Sequence, residues 1–302
     1  MIKILLYIQN FCKNLLATLE TILKFFILSK RTKFKKLYST NNKEVVILGN
    51  GPSLTKMIKE HSSFLENKDI VSVNYFPSSD LYKKIMPKYL ISSAEELFLE
   101  NVNDDYIKNS NKLFQDLKER TTWPIICFFP FIAQKHNRWQ KIIAGNKNIS
   151  VYYYNKTPIE GFKIFRQWSF NKKLGMARPH NVLIPCISLM IWLGYKKIYL
   201  WGADHSWLKE ISVDENNNAL VNQKHFYDEG KSKPETMKQG GKGKRRLHEM
   251  LYKFMISFRE YFNVLDYAKD NNAKIINCTK GSFIDAFERM DLDKITPHKI
   301  KE

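Results

Sequence analysis

The residues that could do chemistry are concentrated where predicted strands end. The segment Gly49-Asn50-Gly51-Pro52-Ser53 follows the apolar run 44–48, and Gly202-Ala203-Asp204-His205 follows the run 196–201. Glycines allow backbone amides to approach a ligand, and a helix that starts after such a loop directs its positive end towards it. With Ser53 as the cap of that helix, the first segment predicts a phosphate-binding loop; the alternative is a purely structural turn between strand and helix.

Strand and helix patterns alternate along most of the chain. The run 69–74 predicts a strand that ends on Asn74, and 89–93 predicts one that ends on Ser93; further strands are expected at 123–129, 150–154 and 273–278. Continuous apolar strands of this kind are typical of buried parallel sheets. The sequence therefore predicts an α/β fold, a Rossmann-like parallel sheet with helices on both faces, whose strand ends place Asn74, Ser93 and Asp204 around one crevice.

The second half of the chain predicts a long interruption before the sheet resumes. Residues 181–195 form an apolar helix preceded by His180 and closed by Gly194, and 247–272 form a long amphipathic helix. Between them, region 205–248 is rich in glycine, histidine and basic residues, which suits a lid. The predicted units are an N-terminal helix and basic linker (1–40), a Rossmann-like core (41–204), a lid region (205–248) and a C-terminal return to the core (249–302).

The N-terminal segment predicts an amphipathic helix that lies on a membrane surface. Between residues 4 and 26 apolar side chains recur every three or four positions, and residues 1–40 carry eight basic and one acidic side chain, a net charge of +7. Anionic lipids attract such basic runs. The alternatives are a helix packed on the protein's own body, a dimer helix, and a single-pass anchor, although this stretch lacks the nearly uncharged apolar length that a membrane span needs. No secretion signal is recognised.

Composition narrows the classes of function. The chain is 44% hydrophobic with a net charge of +19, so a folded protein with a polyanionic partner is expected. Four scattered cysteines predict neither disulfides nor a zinc site, and Asp291 with Asp293 is interpreted as a solvated pair, so no metal and no cofactor are predicted. Nucleic acid is the other polyanion to consider, but the basic residues concentrate at the N-terminus and in the lid, and no nucleic-acid-binding module is recognised.

Two sequence blocks resemble a known family of enzymes. Residues 46–54 and 193–204, with Asn74 between them, are similar in order and separation to the bacterial sialyltransferases of the Campylobacter type, glycosyltransferase family 42. The likeness extends loosely over 44–289 and touches a wider group with the same core, including motility-associated sugar transferases and a pterin pyrophosphokinase.

The resemblance implies a metal-independent glycosyltransferase with a CMP-sugar donor and a sialic acid or related keto sugar. Its acceptor would be lipo-oligosaccharide, O-antigen or capsule. The resemblance also makes 41–204 a nucleotide-sugar-binding core and 205–248 a lid and acceptor region. The scattered cysteines and the basic N-terminal segment predict a cytoplasmic protein at the inner face of the inner membrane; association into homo-oligomers stays open. In the lid, His225 would be the catalytic base and Tyr227 would steady the departing phosphate, with His180 and His205 as rival bases and Arg178 near the active site. The donor would contact residues of the two loops and the strand ends: Gly49, Asn50, Gly51, Pro52, Ser53, Asn74, Ser93, Gly202, Asp204 and His205. A pterin diphosphokinase-like enzyme and a nucleic-acid-binding protein are the alternatives.

Overall fold

A computed structural model describes residues 2–32, 43–227, 232–237 and 243–295, and its main element is an eight-stranded parallel sheet. The strands that build this sheet are β1 (Glu44–Leu48), β2 (Asp69–Val73), β3 (Tyr89–Ile91), β4 (Ile125–Pro130), β5 (Ile149–Tyr154), β6 (Lys197–Trp201), β10 (Lys274–Asn277) and β11 (Glu288–Arg289). Their order is β11-β10-β6-β1-β2-β3-β4-β5, and every pair is parallel. The order reverses at β1, as in Rossmann-like folds, and the predicted fold class is confirmed.

Helices cover both faces of the sheet, as the alternation of strand and helix patterns predicts. The helices of the described chain are α1 (Ile2–Leu28), α2 (Leu54–His61), α3 (Leu81–Ile85), α4 (Asp104–Arg120), α5 (Arg138–Ile143), α6 (Lys163–Asn171), α7 (Leu183–Trp192) and α8 (Leu247–Asp270). One core cluster joins α6, α7 and α8 to side chains such as Val45 and Ile47, and the other joins α2, α4 and α5 to Val46 and Leu48. Because neighbouring strand residues point to opposite faces, the apolar run of β1 serves both cores.

The predicted late insertion lies between β6 and α8. It begins with a 3₁₀ turn at Ser206–Glu210 and continues in a small antiparallel sheet of β7 (Ile211–Val213), β8 (Ala219–Val221) and β9 (Glu235–Thr236). Ala219 and Val221 of this sheet pack with Met250 and Phe254 of α8. Gly230, Gly240 and Gly241, which contributed to the lid prediction, lie outside the described residues.

Helix α1 docks on the body through the side that the sequence marks as polar. The Thr18 hydroxyl accepts the Phe162 amide at 3.1 Å, and the buried Thr21 hydroxyl accepts the Glu160 amide at 3.1 Å. Just beyond α1, the backbone of Lys30 is held by both ends of the Asn155 amide, at 2.8 and 2.7 Å. These bonds, each contributing about 1 kcal/mol, attach the helix to the segment between β5 and α6.

The opposite side of α1 exposes large apolar side chains. Leu16 and Leu23 are 67% and 64% exposed, and Phe26 is 84% exposed. The predicted amphipathic helix is therefore confirmed. Its body-facing side combines the hydroxyls of Thr18 and Thr21 with apolar contacts of Phe11 to Phe162 and Phe25 to Phe165. Among the described residues, no helix is long and apolar enough to span a bilayer. The basic residues Lys33, Lys35 and Lys36 lie outside the described residues.

One local expectation is wrong. Ser53 precedes α2, but its hydroxyl does not cap the helix; it donates to the carboxylate of Asp204 at 2.8 Å. The reason is that the loop after β6 passes directly in front of α2 and offers a charged acceptor. The hydrogen bond from the Ser53 hydroxyl to this carboxylate is stronger than the expected one from a backbone amide of α2 to the hydroxyl.

The close docking of α1 predicts a specific effect of Gly161→Ala. A Cβ at Gly161 would lie 2.1 Å from Thr18 Oγ1 and 2.8 Å from Thr18 Cα, and the residue has φ +106°. The variant is expected to displace α1, so that amide hydrogens of α1 exchange faster and the melting temperature falls. Gly145→Ala is the matched control, because Gly145 has φ +90° and no atom within 4 Å of its Cβ position. The Gly145→Ala variant therefore has only the strain of an alanine in a left-handed conformation, about 1–2 kcal/mol, and no steric clash. Equal exchange in α1 for both variants would contradict this docking.

Candidate functional site

The two glycine-containing loops touch each other where the strand order reverses. The Gly49 amide donates to the Trp201 carbonyl at 2.7 Å, and the Gly51 amide donates to the Gly202 carbonyl at 2.9 Å. A Cβ at Gly49 would lie 2.6 Å from the Gly202 oxygen, and a Cβ at Gly202 would lie 2.6 Å from the Gly49 oxygen. Both positions therefore require glycine for close packing of backbone on backbone. These two amides serve the contact between the loops rather than a ligand.

Asp204 connects the second loop to the start of α2. Its carboxylate accepts the hydroxyl of Ser53 at 2.8 Å and also the Ser53 amide, so a negative charge lies at the positive end of the helix. Burial raises the pKa of Asp204, and the two hydrogen bonds from Ser53 oppose that shift. A Cβ at Gly51 would lie 1.9 Å from the Asp204 Oδ2 atom, which explains the second glycine of the loop.

A cavity of about 520 Å³ opens above these loops, at the carboxyl ends of the strands. Most predicted donor-site residues line it: Gly49, Asn50, Gly51, Pro52, Asn74, Ser93, Gly202, Asp204 and His205. Ser53 reaches it only through Asp204. We call this space the first cavity. Its volume is in the range of small-ligand and cofactor sites.

Several polar atoms in the wall of the first cavity are buried without a hydrogen-bond partner among the described residues. They are Oδ1 of Asn50, Asn74 and Asn222, Nδ2 of Asn181, Nε2 of His180 and Nε of Arg245. Burying a polar group without a partner costs free energy, so a concentration of such atoms indicates a site that binds a polar ligand.

Local backbone geometry orients two of these amides. Asn74 follows β2 with φ 47°, a left-handed conformation that asparagine tolerates better than most residues. The Asn181 Oδ1 atom accepts the Leu183 amide at 2.9 Å and the Tyr261 hydroxyl at 3.0 Å. The donor side of the Asn181 amide is thereby held towards the cavity.

A group of cations lies along the same cavity. Lys156, Arg245 and Lys253 line it, and we call these three residues the cation cluster. The pKa of Lys253 is lowered by burial and by the repulsion of Arg245 and Lys156, with Glu96 acting in the opposite direction. Lys156 also donates to the Ser93 carbonyl at 2.8 Å and to Glu95 at 3.3 Å. Mutual repulsion of this kind favours binding of an anion between the cations.

His180 lies in the field of the cation cluster. Burial, and after it the positive charges of Arg178, Lys253, Arg245 and Lys156, together lower its pKa to about 4. The imidazole is consequently neutral at pH 7. With Nε2 unpartnered in the cavity wall, it is able to accept a proton from a bound hydroxyl group.

His205 has a different environment from His180. Its Nε2 atom lies 2.7 Å from the Tyr261 hydroxyl, and its ring packs on Trp207 with centroids 4.1 Å apart. Burial among these rings lowers its pKa to about 3. The chain turns sharply at His205, whose φ is 50°. The packing of its ring on Trp207 and Tyr261 therefore indicates that His205 fixes the start of the insertion.

The segment 225–227 lies over the first glycine loop. The Phe226 amide donates to the Asn50 carbonyl at 3.0 Å, and its ring contacts Phe76 with centroids 5.7 Å apart. On either side, the rings of His225 and Tyr227 stack at 5.1 Å. His225 lines the first cavity, whereas Tyr227 is not part of its wall.

Arg178 faces away from the first cavity. Its guanidinium forms an ion pair with Glu160, and its amide donates to Glu260 at 3.3 Å. It lines a second cavity, described below. Its charge lowers the pKa of His180, and its carbonyl accepts the His180 amide at 3.0 Å. Among the described residues there is no cluster of three or more His, Cys, Asp or Glu side chains that could hold a metal ion.

The cation cluster was not identified from the sequence as a unit. Arg245 belongs to the basic residues of the predicted lid, and Lys156 and Lys253 lie in a loop and on a helix nearly a hundred residues apart. One available signal is the position of Lys156 two residues after β5, because residues at that edge of a parallel sheet face the crevice.

No family model and no curated protein matches the sequence. Among solved structures, the MAf glycosyltransferase from Magnetospirillum magneticum AMB-1 aligns with a TM-score of 0.48 and 12% sequence identity. The alignment covers 90% of this chain and 36% of that protein, so this chain spans about a third of its length. At this identity and TM-score, the activity of that protein does not carry over to this chain.

The charge around His180 predicts a measurable titration. In NMR spectra of the folded protein, the His180 pKa is expected near 4, and Lys253→Met is expected to raise it because one repelling charge is removed. Lys209→Met is the control, since Lys209 is exposed and lies over the Phe283 ring outside the cavity. A wild-type value near the ordinary 6.5 would contradict the described environment.

The lowered pKa of His180 also predicts how the free energy of unfolding changes with pH. The folded-state pKa of His180 is below that of the unfolded chain, so the unfolded state takes up the proton first as the pH falls from 6.5 towards 4. The free energy of unfolding is expected to decline across that window, and His180→Gln should reduce the decline, as followed by urea unfolding at several pH values.

Proposed function

We propose that the chain is a glycosyltransferase and that the first cavity binds its nucleotide-sugar donor. The observation that carries this proposal is the contact between two distant sequence blocks. Residues 46–54 and 193–204, which resemble the family 42 sialyltransferases, meet through Gly49 and Gly202 in the wall of one polar cavity. A resemblance confined to two short blocks gains support when both blocks line the same site.

We further propose a CMP-activated sialic acid or related keto sugar as the donor. The cation cluster would hold the phosphate, since Lys and Arg side chains repelling each other in a partly buried wall stabilise an added anion. The unpartnered amide oxygens of Asn50 and Asn74 would accept hydroxyl groups of the ribose or sugar. The acceptor would be a cell-surface glycan such as lipo-oligosaccharide, O-antigen or capsule.

The proposed reaction uses His180 as general base. An acceptor hydroxyl gives its proton to Nε2 of His180 while its oxygen forms a bond to the anomeric carbon. The bond between that carbon and the phosphate oxygen breaks, and the electron pair leaves with CMP. The cation cluster stabilises the charge that develops on the phosphate. His225 is the second candidate for the base, favoured by the sequence resemblance and by its place in the cavity wall.

Nucleotide binding tests the proposal directly. Isothermal titration of the full chain with CMP, UMP, GMP and Mg-ATP is expected to show tightest binding of CMP. Incubation with CMP-sialic acid and CMP-Kdo, with UDP- and GDP-sugars alongside, should release CMP by slow hydrolysis even without an acceptor. No binding and no release with any nucleotide sugar would contradict the function, and preference for Mg-ATP would favour a diphosphokinase.

Matched variants separate the two histidines. His180→Gln is expected to lower turnover by about 10² while CMP binding stays within a factor of a few, the size typical of a lost general base. His225→Gln is the comparison, because His225 also lines the first cavity. The acidic limb of kcat/KM in the wild type should fall near pH 4 to 5 rather than 6.5, following the lowered pKa of His180. If only His225→Gln lost most of its turnover, the general base would be His225 of the insertion and not His180.

We also propose that the exposed side of α1 lies on an anionic membrane surface, at the cytoplasmic face of the inner membrane. The polar side of the helix is already used by the body, through Thr18 and Thr21. The remaining side exposes Leu16, Leu23 and Phe26, and the helix also carries the exposed Lys3 and Lys13, as interfacial helices do.

Flotation with liposomes tests the membrane proposal. Leu16→Asp with Leu23→Asp is expected to abolish binding to vesicles that contain anionic lipid, because two charges replace apolar side chains that enter the interface. Met86→Asp is the control, since Met86 is 50% exposed on the remote end of α3. Equal flotation of the wild type and the double variant would contradict the proposal.

A further inference from the structure

A second cavity of about 470 Å³ lies between the end of α1 and the sheet. Its wall differs from that of the first cavity, because apolar side chains contribute much of it. Ile27 and Leu28 come from the last turn of α1, and Phe131 and Ile132 come from the turn after β4. The mouth therefore begins at the apolar side of the N-terminal helix.

The same cavity is positively charged. Lys30, Lys135, Lys156 and Arg178 line it, with Glu95 as the acidic side chain of the wall. Arg178 is paired with Glu160 and Lys156 contacts Glu95, whereas Lys30 and Lys135 form no ion pair within the described part of the chain. Lys30 Nζ lies 5.6 Å from the centre of the Phe131 ring, so charge and apolar surface are adjacent. The combination fits a ligand that has both a hydrocarbon part and an anionic group.

The two cavities share a wall. Lys156, Pro179 and His180 line both of them. Ligands in the two cavities would therefore lie next to each other at His180, whose pKa is about 4, and Lys156 could contact phosphate groups of either one.

We propose that the second cavity is the acceptor site and that its substrate is a lipid-linked acceptor with a phosphate next to the hydrocarbon chain. This inference rests on the proposed function, and it names the acceptor class. The chain of the lipid would leave along Ile27 and Leu28 towards the membrane beneath α1, and the phosphate would contact Lys30 and Lys135. The acceptor hydroxyl would extend past His180 into the first cavity, where His180 takes its proton as the oxygen bonds to the anomeric carbon of the donor.

Binding of a simple amphiphile tests the site without any donor. Isothermal titration of the full chain uses decyl phosphate below its micelle concentration, with inorganic phosphate and decyl maltoside as probes of the head group and the chain alone. Decyl phosphate is expected to bind at least about tenfold more tightly than either, a difference of about 1.4 kcal/mol. Equal affinity for inorganic phosphate, or for decyl maltoside, would overturn the proposal.

Variants restricted to the second cavity locate the binding. Lys135→Ala and Ile132→Asp are each expected to weaken decyl phosphate binding by about tenfold, because one loses a charge contact and the other places a carboxylate in the apolar wall. CMP binding should be unchanged, since neither residue lines the first cavity. Leu16→Asp with Leu23→Asp is the matched control for adsorption to the exposed side of α1. Affinity that falls in this control and not in the cavity variants would overturn the proposal.

The outcomes also distinguish failure of the glycosyltransferase proposal from failure of the acceptor site alone. Decyl phosphate binding with no nucleotide binding would leave the second cavity as a lipid phosphate site and remove the glycosyltransferase proposal and, with it, the acceptor assignment. Nucleotide binding and sugar hydrolysis without decyl phosphate binding would overturn the acceptor site alone.

Discussion

The site depends on the close contact between two backbone loops at the reversal of strand order. Gly49 and Gly202 approach so closely that neither has room for a Cβ atom, and the amides of Gly49 and Gly51 are satisfied by carbonyls of the neighbouring loop. This contact brings Asp204 to Ser53 and sets the floor of the first cavity. The helix start that a phosphate would otherwise approach is already occupied by a carboxylate. In the proposed function, the anion is therefore bound by side chains from the loop after β5, the insertion and α8.

Much of the fold could be predicted from the sequence because it depends on local patterns. The apolar runs gave β1, β2 and β6 within a residue or two, and Gly194 marked the end of α7 with φ +91°. The predicted site residues at the strand ends meet for the same reason, since parallel strands place their carboxyl ends at one edge. Whether they bind a nucleotide sugar stays a prediction.

Contacts between distant segments could not be predicted in the same way. The amphipathic pattern of α1 identified its two sides, but apolar periodicity alone does not reveal that Thr18 and Thr21 would bond to the backbone at 160–162. Ser53 was expected to bond to its own helix, and tertiary packing supplied a charged acceptor instead. The cation cluster joins residues from three elements, and its effect on His180 arises only when they surround one cavity.

The anchoring of Lys30 by Asn155 has a consequence for the independence of the N-terminal segment. Asn155 is 1% exposed and holds the backbone of Lys30 with both its donor and its acceptor, while the Ser29 hydroxyl donates to the Leu174 carbonyl at 2.6 Å. Removing the first thirty residues would keep all eight strands of the parallel sheet, yet it would uncover a buried amide and take away one side of the second cavity. The N-terminal helix is accordingly an integral part of the folded body. A flexible membrane anchor would not have its backbone held by buried side chains of the core.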